Sequence, residues 1–533
     1  MSRGTAASGE RESNLLAALL SVSSLTFVSR VLGLLRDVTI AAVFAVGLHS
    51  DAFFTAFKIP NTLRRLTAEG AFSNAFVPVF NEARATVGER EAAHLRDVVA
   101  SWLAILLLVI AVAGVAGAPL LVAVIAPGFA AVEGKAELAT ALLRITFPYI
   151  LLISLAAFGG AVLNSFGRFA AFAFVPALLN IALIAAALVA APFFSEPIHA
   201  LAWGVVAGGL LQLAWQAVAM ARHGLLPRPA LPRLTPAVRR ISRLTAQGTL
   251  GVAIAQLGIF VSLIFASFLE QGSVTWLYFA DRMMELPVGM LGAALAVIAL
   301  PTLSRQSAAA STAAFSATLD WSLRVALLAS LPAAGGLAVL SLPVAATIFQ
   351  HGSYTPHDSI QTARAIAAYS WGVPALVLLR ILAAGFYARQ QPLIPVTVAT
   401  VALALTIALN FVLVPHMAHA GLALAVALGA IVNASSLAWL LWANGAYEPD
   451  PAWPQHLLKM FAALAAMVAF LLWFREHEIP WTAMGAGTRV WELGVCVLSG
   501  GAVYLATLQA LGWPWELLRT PGIDARHSWL RPR

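Results

Sequence analysis

Charged residues are scarce in this chain, and their scarcity excludes a soluble globular protein. Only 11% of its 533 residues are Asp, Glu, Lys or Arg and 60% are hydrophobic, whereas soluble domains carry about 25% charged residues. Three stretches, 102–132, 169–195 and 244–269, contain no charged residue. Each exceeds the ~20 residues that a transmembrane helix needs, and membrane β-strands would instead alternate apolar and polar residues. The composition therefore predicts an all-α, polytopic membrane protein.

Several kinds of chemistry lack the residues that they require. The only cysteine is Cys496, which excludes an internal disulfide and a CxxC metal or redox site. The sequence has no GxxxxGK[ST] loop for nucleotide phosphates and no polar segment long enough for a catalytic domain. His416 and His419 have a spacing that a metal could use, but they lack accompanying acids, so we predict loop histidines and no metal site. The net charge of +8 lies in short loops between apolar spans, which argues against nucleic acid as a partner.

Hydrophobic runs divide the chain into fourteen predicted spans. Short loops that carry Lys and Arg face the cytoplasm, and most of these residues lie in the even-numbered loops; the sixth loop has six arginines and no acid between 222 and 243. Lys135, Arg475 and Arg489 are exceptions, since they lie in odd-numbered loops. Both termini are therefore predicted to be cytoplasmic. The predicted spans are 20–46, 51–83, 98–126, 137–164, 169–193, 198–221, 244–269, 274–304, 317–348, 360–388, 393–415, 420–444, 456–474 and 490–512.

The basic sixth loop lies near the middle of the chain and suggests two halves joined by a linker. Its four prolines argue against a transmembrane helix there, and we predict a short amphipathic helix around 236–244. Glycine and proline motifs recur weakly in both halves, and internal repeats with a site between them are typical of transporters. The predicted organisation is a six-helix bundle at 1–222, a basic cytoplasmic linker at 223–243, a six-helix bundle at 244–447, and two further transmembrane helices with a basic tail at 448–533.

Ionisable residues occur inside several predicted spans, where each costs roughly 2.5–3.5 kcal/mol and should face a cavity or a partner. The cations outnumber the nearby acids, and an anionic ligand would neutralise this excess; a guanidinium binds phosphate through two parallel hydrogen bonds. Alternatively, pairs such as Arg65 with Glu69 and Arg282 with Glu285 are structural. The candidate ligands are Arg30, Arg36, Asp51, Lys58, Arg64, Arg65 and Arg282, with Glu69, Asp281 and Glu285 in support.

The first two predicted spans contain a specific pair of motifs. Ser-Arg-Val-Leu-Gly-x-x-Arg-Asp begins at Ser29, and Asp-Ala-Phe-Phe-x-Ala-Phe-Lys-x-Pro-Asn-x-Leu-Arg-Arg begins at Asp51. Supporting motifs occur at 163–180 and 280–304. With these motifs the chain resembles the MurJ (MviN) family of lipid II flippases, within the multidrug/oligosaccharidyl-lipid/polysaccharide exporter superfamily. The last two spans match this family only as hydrophobic helices.

The resemblance implies two six-helix bundles around a central cationic cavity, with two C-terminal helices that form a groove for a polyprenyl tail. The implied cargo is lipid II, an undecaprenyl-diphosphate-linked peptidoglycan precursor, which moves from the inner to the outer leaflet of the bacterial cytoplasmic membrane by alternating access. The chain would then be a transporter, with cell-wall synthesis proteins as further partners. The important cations of the family fall on Arg30, Arg36, Arg64 and Arg282, its important acid falls on Asp51, and Asn180 belongs to a supporting motif.

One position departs from the family pattern. Members commonly carry an acid in the tenth loop where this chain has Gln391, and some are thought to bind sodium nearby. The neutral Gln391 argues against sodium coupling, although Asn410 remains as an amide ligand. No cofactor is therefore expected, and the membrane potential is an alternative source of energy.

Three other functions are compatible with a polytopic helical chain. One is a different exporter of the superfamily, but a pump for cationic drugs would need acids in its cavity. Another is a membrane enzyme acting on polyprenyl phosphates, which would need clustered acids or a large catalytic loop. The third is a scaffold of the cell-wall machinery, which would not need cations inside its spans.

Overall fold

The regular structure of the chain is helical. A computed structural model describes residues 24–25, 27–67, 71–168, 170–475 and 480–518, and no strand occurs among them. Helices are favoured because backbone groups inside a bilayer have no water to bond to and must satisfy one another within the segment. The predicted all-α membrane fold is confirmed. In the part of the chain just specified, nine helices are long and apolar enough to span a membrane, or ten if a pair bent by 42° is one span; the number fourteen stays a prediction.

The chain forms two compact units, and the first comprises the residues up to Gly272 together with His351–Ser353. Its core includes a stack of phenylalanines, in which Phe76 lies 5.1 Å from Phe80 and 5.3 Å from Phe158 between ring centroids. Its helices are α1 (27–43), α2 (Leu48–Thr67), α3 (Ala71–Thr86), α4 (Glu89–Ala116), α5 (Ala118–Ile125), α6 (Lys135–Thr146), α7 (Tyr149–Ser165), α8 (Ala170–Ala173), α9 (Val175–Ala185), α10 (Ile198–Ala221) and α11 (Pro236–Ser267).

Helix α11 differs from the sequence prediction in its length and in the unit to which it belongs. Pro236 is its first residue, and the side chain of Thr235 caps it by accepting the Val238 N–H, an arrangement that favours helix initiation. Val238 and Ile241 are buried against the phenylalanine core of the first unit. The amphipathic helix predicted around 236–244 is therefore the start of a 32-residue helix. Because of this packing, α11 belongs to the first unit, whereas the sequence suggested that 244–269 opens the second bundle.

The second unit comprises Ser273–Gln350 and the chain from Tyr354 onwards. Pro287 ends its first helix and is followed by a π-helical turn, Val288–Gly292, before the next helix starts; a proline lacks the N–H that would continue the α-helical pattern. The helices are α12 (Ser273–Pro287), α13 (Ala293–Ala308), α14 (Thr312–Val339), α15 (Ser341–Phe349), α16 (Pro356–Ser370), α17 (Val373–Ala388), α18 (Leu393–Ala443), α19 (Trp453–Arg475) and α20 (Ala486–Ala510).

Helix α18 consists of two helical segments joined by a sharp reversal. Ala418 has non-helical torsions, φ 48° and ψ −131°. A Cβ atom on Gly421 would lie 2.6 Å from the carbonyl oxygen of Leu413, so the chain folds back on itself and a side chain at Gly421 would clash. A straight helix of this length would extend about 77 Å, more than twice the ~30 Å hydrocarbon layer. The two segments coincide with the predicted spans 393–415 and 420–444.

Polar contacts anchor the start of α19 and the residues before it to α14. The carboxylate of Asp320 accepts hydrogen bonds from the Tyr447 hydroxyl, the Trp453 indole and the Asp450 N–H, and Arg324 pairs with the Asp450 carboxylate. Burial and the neighbouring Asp320 carboxylate raise the pKa of Tyr447, so its hydroxyl remains a donor. These contacts make α19 part of the second unit.

Arg489, one of the exceptions to the charge rule for loops, has a structural explanation. It is buried at the start of α20, and its guanidinium donates to the carbonyl oxygens of Ala346 (2.9 Å), Gln350 (3.1 Å) and Thr482 (3.1 Å). The first two lie at the C-terminal end of α15, where the helix dipole attracts cations. Arg489 therefore fastens α20 to α15 and says nothing about which side its loop faces.

Candidate substrate site

Arg36 lies on α1 at the centre of a buried polar cluster. Its guanidinium bonds to the Asp37 carboxylate through Nε (2.9 Å) and Nη2 (2.6 Å), and its Nη1 donates to the Asn180 side-chain oxygen (3.0 Å). The Asn180 amide nitrogen donates in turn to the Ser29 carbonyl oxygen at 3.1 Å. Both Arg36 and Asp37 are buried, at 6% and 1% exposure. Asn180 thus ties α9 to α1 and fixes the direction of the Arg36 side chain.

Arg64 converges on the same region from α2. Its Nε donates to the Asn61 side-chain oxygen at 3.2 Å, and its side chain is only half-buried. The fully buried Tyr149 at the start of α7 lies within electrostatic range of both Arg64 and Arg36. Two of the four arginines that the sequence singled out therefore act on one buried tyrosine of the first unit.

The remaining cations of α1 and α2 differ in exposure. Arg30 is exposed on the same helix that buries Arg36, and Lys58 is half-buried on α2. Residue Arg65 belongs to α2, but its side chain, like the whole of Glu69, lies outside the described residues. The pair predicted between Arg65 and Glu69 therefore stays a prediction.

Asp51 forms a buried ion pair with Lys135. The Lys135 ammonium lies 2.8 Å from Oδ2 of Asp51, and the two side chains are 3% and 1% exposed. The same oxygen accepts the Gly272 N–H at 2.8 Å, and the ammonium lies 4.3 Å from the centroid of the Phe129 ring. Because Lys135 is the first residue of α6, it lies at the positive end of a helix dipole, and the Asp51 carboxylate offsets that repulsion.

The Asp51–Lys135 pair is not recognisable in the sequence. The two residues are 84 positions apart, and Lys135 stands out only as an exception among the basic loops. In the sequence Lys135 lies between Glu133 and Glu137, so it looks like one of several ordinary loop charges. The structure explains the exception, since a lysine that is paired inside the protein is not a marker of the cytoplasmic side.

Arg282 on α12 forms the local pair that the sequence offered as an alternative. Its Nη1 donates to Oε2 of Glu285 at 3.0 Å, and its Nη2 donates to the Tyr278 hydroxyl at 3.3 Å. The side chains of Arg282 and Glu285 are 30% and 45% exposed. Asp281 acts electrostatically on the buried Tyr369 of α16. Arg282 is therefore paired yet still accessible to a ligand.

The exposure of the predicted cations can be stated for each unit. In the first unit Arg30 is exposed, and Lys58 and Arg64 are half-buried; in the second unit Arg282 is half-buried. Within the ranges that the structure describes, no group of three or more His, Cys, Asp or Glu side chains could hold a metal. His416 is exposed and bonds to the Val412 carbonyl oxygen, whereas His419 is buried and bonds to that of Gln361.

Curated relatives match almost the whole chain. A family model described as lipid II flippase MurJ matches residues 40–485. A relative from Burkholderia cenocepacia, named lipid II flippase MurJ, is 39% identical over 513 residues, which cover 95% of this chain and 99% of that relative. A second, from Vibrio cholerae and named probable lipid II flippase MurJ, is 36% identical over 505 residues, covering 93% and 96%.

Solved structures share the fold. One described as lipid II flippase MurJ in an inward closed conformation superimposes with a TM-score of 0.78 at 23% identity, covering 92% of this chain and 98% of that one. A multidrug resistance MATE family transporter of the MOP superfamily, in an inward-facing conformation, gives a TM-score of 0.67 at 12% identity, covering 80% and 98%. At these identities the likeness establishes the fold alone, which is that of polytopic helical transporters.

Proposed function

We propose that this chain, which belongs to the family of the lipid II flippase MurJ, moves lipid II from the inner to the outer leaflet of the bacterial cytoplasmic membrane. The observation that carries this conclusion is the 39% identity to a lipid II flippase over 95% of the chain. The chain is accordingly a multi-pass membrane transporter and not an enzyme. Alternating access is consistent with the MurJ and MATE structures that share its fold.

The charged diphosphate is the part of lipid II whose transfer through the bilayer costs the most free energy. A charged group at the centre of a bilayer is costly, and charge-assisted hydrogen bonds from guanidinium groups offset that cost. We assign this role to Arg30, Arg36, Arg64 and Arg282. Their accessible or partly accessible donors support the assignment for Arg30, Arg64 and Arg282. Arg36 is buried between Asp37 and Asn180, so its charge would act on the ligand at longer range unless the cluster rearranges.

Depletion of the chain tests the function directly. Cells that lose the protein should accumulate lipid II in the inner leaflet, and outer-leaflet lipid II should fall, because the precursor cannot cross unaided. The measurement is the fraction of lipid II accessible to an impermeant reagent from outside. A plasmid copy of the chain should restore that fraction. An unchanged outer-leaflet fraction after depletion would rule out the proposed function.

The arginines in even-numbered loops support cytoplasmic termini. In a Cys496→Ala background, a cysteine at Ser353 should react with an impermeant thiol reagent added outside, and a cysteine at Pro232 should not. Ser353 is preferable to its neighbour Gly352, since Gly352 has φ +56° and a Cβ there would lie 2.2 Å from the Ala42 carbonyl oxygen. The reverse labelling pattern would overturn this topology.

We also expect transport to depend weakly or not at all on sodium. The reason is Gln391, which is neutral where family members commonly carry an acid. In liposomes, exchanging sodium for potassium at constant ionic strength should leave the flipping rate unchanged, while abolishing the membrane potential tests the alternative energy source. A millimolar sodium requirement would show that other oxygen ligands exist. Cell-wall synthesis proteins that use the delivered lipid II are the partners that we expect in the cell.

A further inference from the structure

The segment that joins α10 to α11, together with the first two turns of α11, exposes arginines and leucines. We call residues 222–243 the basic strap; it contains no Asp or Glu. Leu226, Leu231 and Leu234 are 47%, 71% and 60% exposed. All six arginines are exposed as well, namely Arg222, Arg228, Arg233, Arg239, Arg240 and Arg243.

The inner side of the basic strap is fixed to the first unit. After Gly224, whose φ of +67° ends α10, the Leu225 N–H bonds to the Met220 carbonyl oxygen at 2.9 Å. The Ala230 N–H donates to the Ser101 hydroxyl of α4 at 3.1 Å. Leu225 and Ala230 also pack against the phenylalanine core. One side of the strap is therefore bound to protein, while its arginines and the three exposed leucines face outward.

The outward side retains a strong positive charge. Among the described residues, Arg240 is the one arginine of the strap that forms an ion pair with a carboxylate, Glu82 at 2.8 Å. That pair is about half-exposed on both sides, so solvent and salt weaken it. An outward face with several arginines and hydrophobic leucines is complementary to a surface that is both anionic and apolar.

We propose that the basic strap binds anionic phospholipids at the membrane surface. It starts where α10, a candidate membrane span, ends, which places lipid headgroups close to the arginines. Arginines near a membrane surface are attracted to anionic headgroups, and apolar side chains insert into the boundary between headgroups and acyl chains. An acidic protein would satisfy the arginines but would leave the leucines without an apolar environment. The strap is separate from the arginines assigned to lipid II, so this site does not depend on the transport mechanism.

Fluorescence quenching by labelled lipids tests the proposal at the strap itself. The full chain, with Cys496→Ala and a bimane probe on Pro232→Cys, is placed in nanodiscs that contain doxyl-labelled phosphatidylglycerol or doxyl-labelled phosphatidylcholine. We expect phosphatidylglycerol to quench the probe more strongly, by about threefold or more, because several arginines attract it. Raising the salt concentration should reduce this preference through screening.

Two triple variants distinguish an effect of the basic strap from an effect of the total positive charge of the chain. Arg228→Gln, Arg233→Gln and Arg239→Gln together should abolish the preference for phosphatidylglycerol. The matched control removes three exposed arginines from elsewhere in the chain, Arg90→Gln, Arg168→Gln and Arg305→Gln, and should retain this preference. Leu231→Ser with Leu234→Ser should weaken quenching by both lipids.

Equal quenching by the two lipids in the parent chain, or equal loss in both triple variants, would overturn the proposal. So would a larger probe response to polyglutamate than to phosphatidylglycerol, which would point to an acidic protein partner.

Discussion

Replacing Lys135 with methionine is expected to remove most of the folded chain from the membrane. The replacement removes the ammonium that pairs with the Asp51 carboxylate, whose side chain is 1% exposed. Removing one member of a buried ion pair costs about 3–5 kcal/mol because the other charge stays buried. Since domains are stable by only about 5–15 kcal/mol, the loss should be visible as low protein abundance. Asp51→Asn should have a similar effect, because it leaves the Lys135 ammonium buried.

The double variant Lys135→Met with Asp51→Asn should restore abundance. Both charges are then gone, methionine fills the space of the lysine stem, and the asparagine oxygen can still accept the Gly272 N–H. Replacing a buried pair as a whole is often neutral. Lys459→Met is a matched control, since Lys459 donates to the Gly512 carbonyl oxygen near the surface, and it should leave abundance unchanged. Quantitative immunoblotting of membrane fractions measures all four variants.

The result decides what Asp51 does. If it serves lipid II directly, Asp51→Asn should abolish flipping at normal abundance, and Lys135→Met should leave abundance unaffected. If it acts through Lys135, flipping should follow abundance and return in the double variant. The geometry favours the second outcome, because the Asp51 carboxylate is buried and bonds to the Lys135 ammonium and the Gly272 N–H.

The helices and their apolar character follow from the sequence because a bilayer imposes the same requirement on every span. Most of a run such as 102–132 has to be helical wherever it lies in the fold, and it supplies the second half of α4 and the whole of α5. The arginines of α1 and α2 were identifiable for a related reason, since a charge inside an apolar run is conspicuous. Both signals are local, so they do not depend on knowing the tertiary structure.

Features that depend on distant residues could not be predicted. In the sequence, Lys135 and Arg489 look like ordinary loop residues. Only the fold places Lys135 against Asp51 and Arg489 at the end of α15. The grouping of α11 with the first unit depends on how Val238 and Ile241 fit the phenylalanine core. No periodicity in the chain encodes these contacts, because each depends on the shape of another helix.

Replacing Arg282 with alanine is expected to abolish transport while the protein remains abundant. The pair that Arg282 forms with Glu285 is 30% and 45% exposed, and exposed pairs of this kind contribute about 0–1 kcal/mol. Losing it therefore leaves Glu285 in contact with solvent and costs little stability. A charge-assisted hydrogen bond to a ligand contributes about 1.5–3 kcal/mol, so lipid II binding should fall about tenfold or more.

The same substitution at Arg36 is expected to behave differently. Arg36 is buried, and its removal would break its two hydrogen bonds to the Asp37 carboxylate, which is 1% exposed. Arg36→Ala should therefore lower abundance as well as transport, because breaking a buried ion pair is destabilising. Loss of function at Arg36 alone thus says little about ligand binding, whereas Arg282 offers a clean test.

Three variants of the Arg282 pair, measured for abundance and lipid II binding together, complete that test. Glu285→Ala should keep both, because it removes only the partner of the arginine. Arg282→Lys preserves the charge but loses the planar fork that binds two phosphate oxygens at once, so binding should be partly retained. Low abundance of Arg282→Ala, restored by adding Glu285→Ala, would instead make Arg282 a structural residue. In that case the second unit would supply none of the four arginines that we assign to the diphosphate.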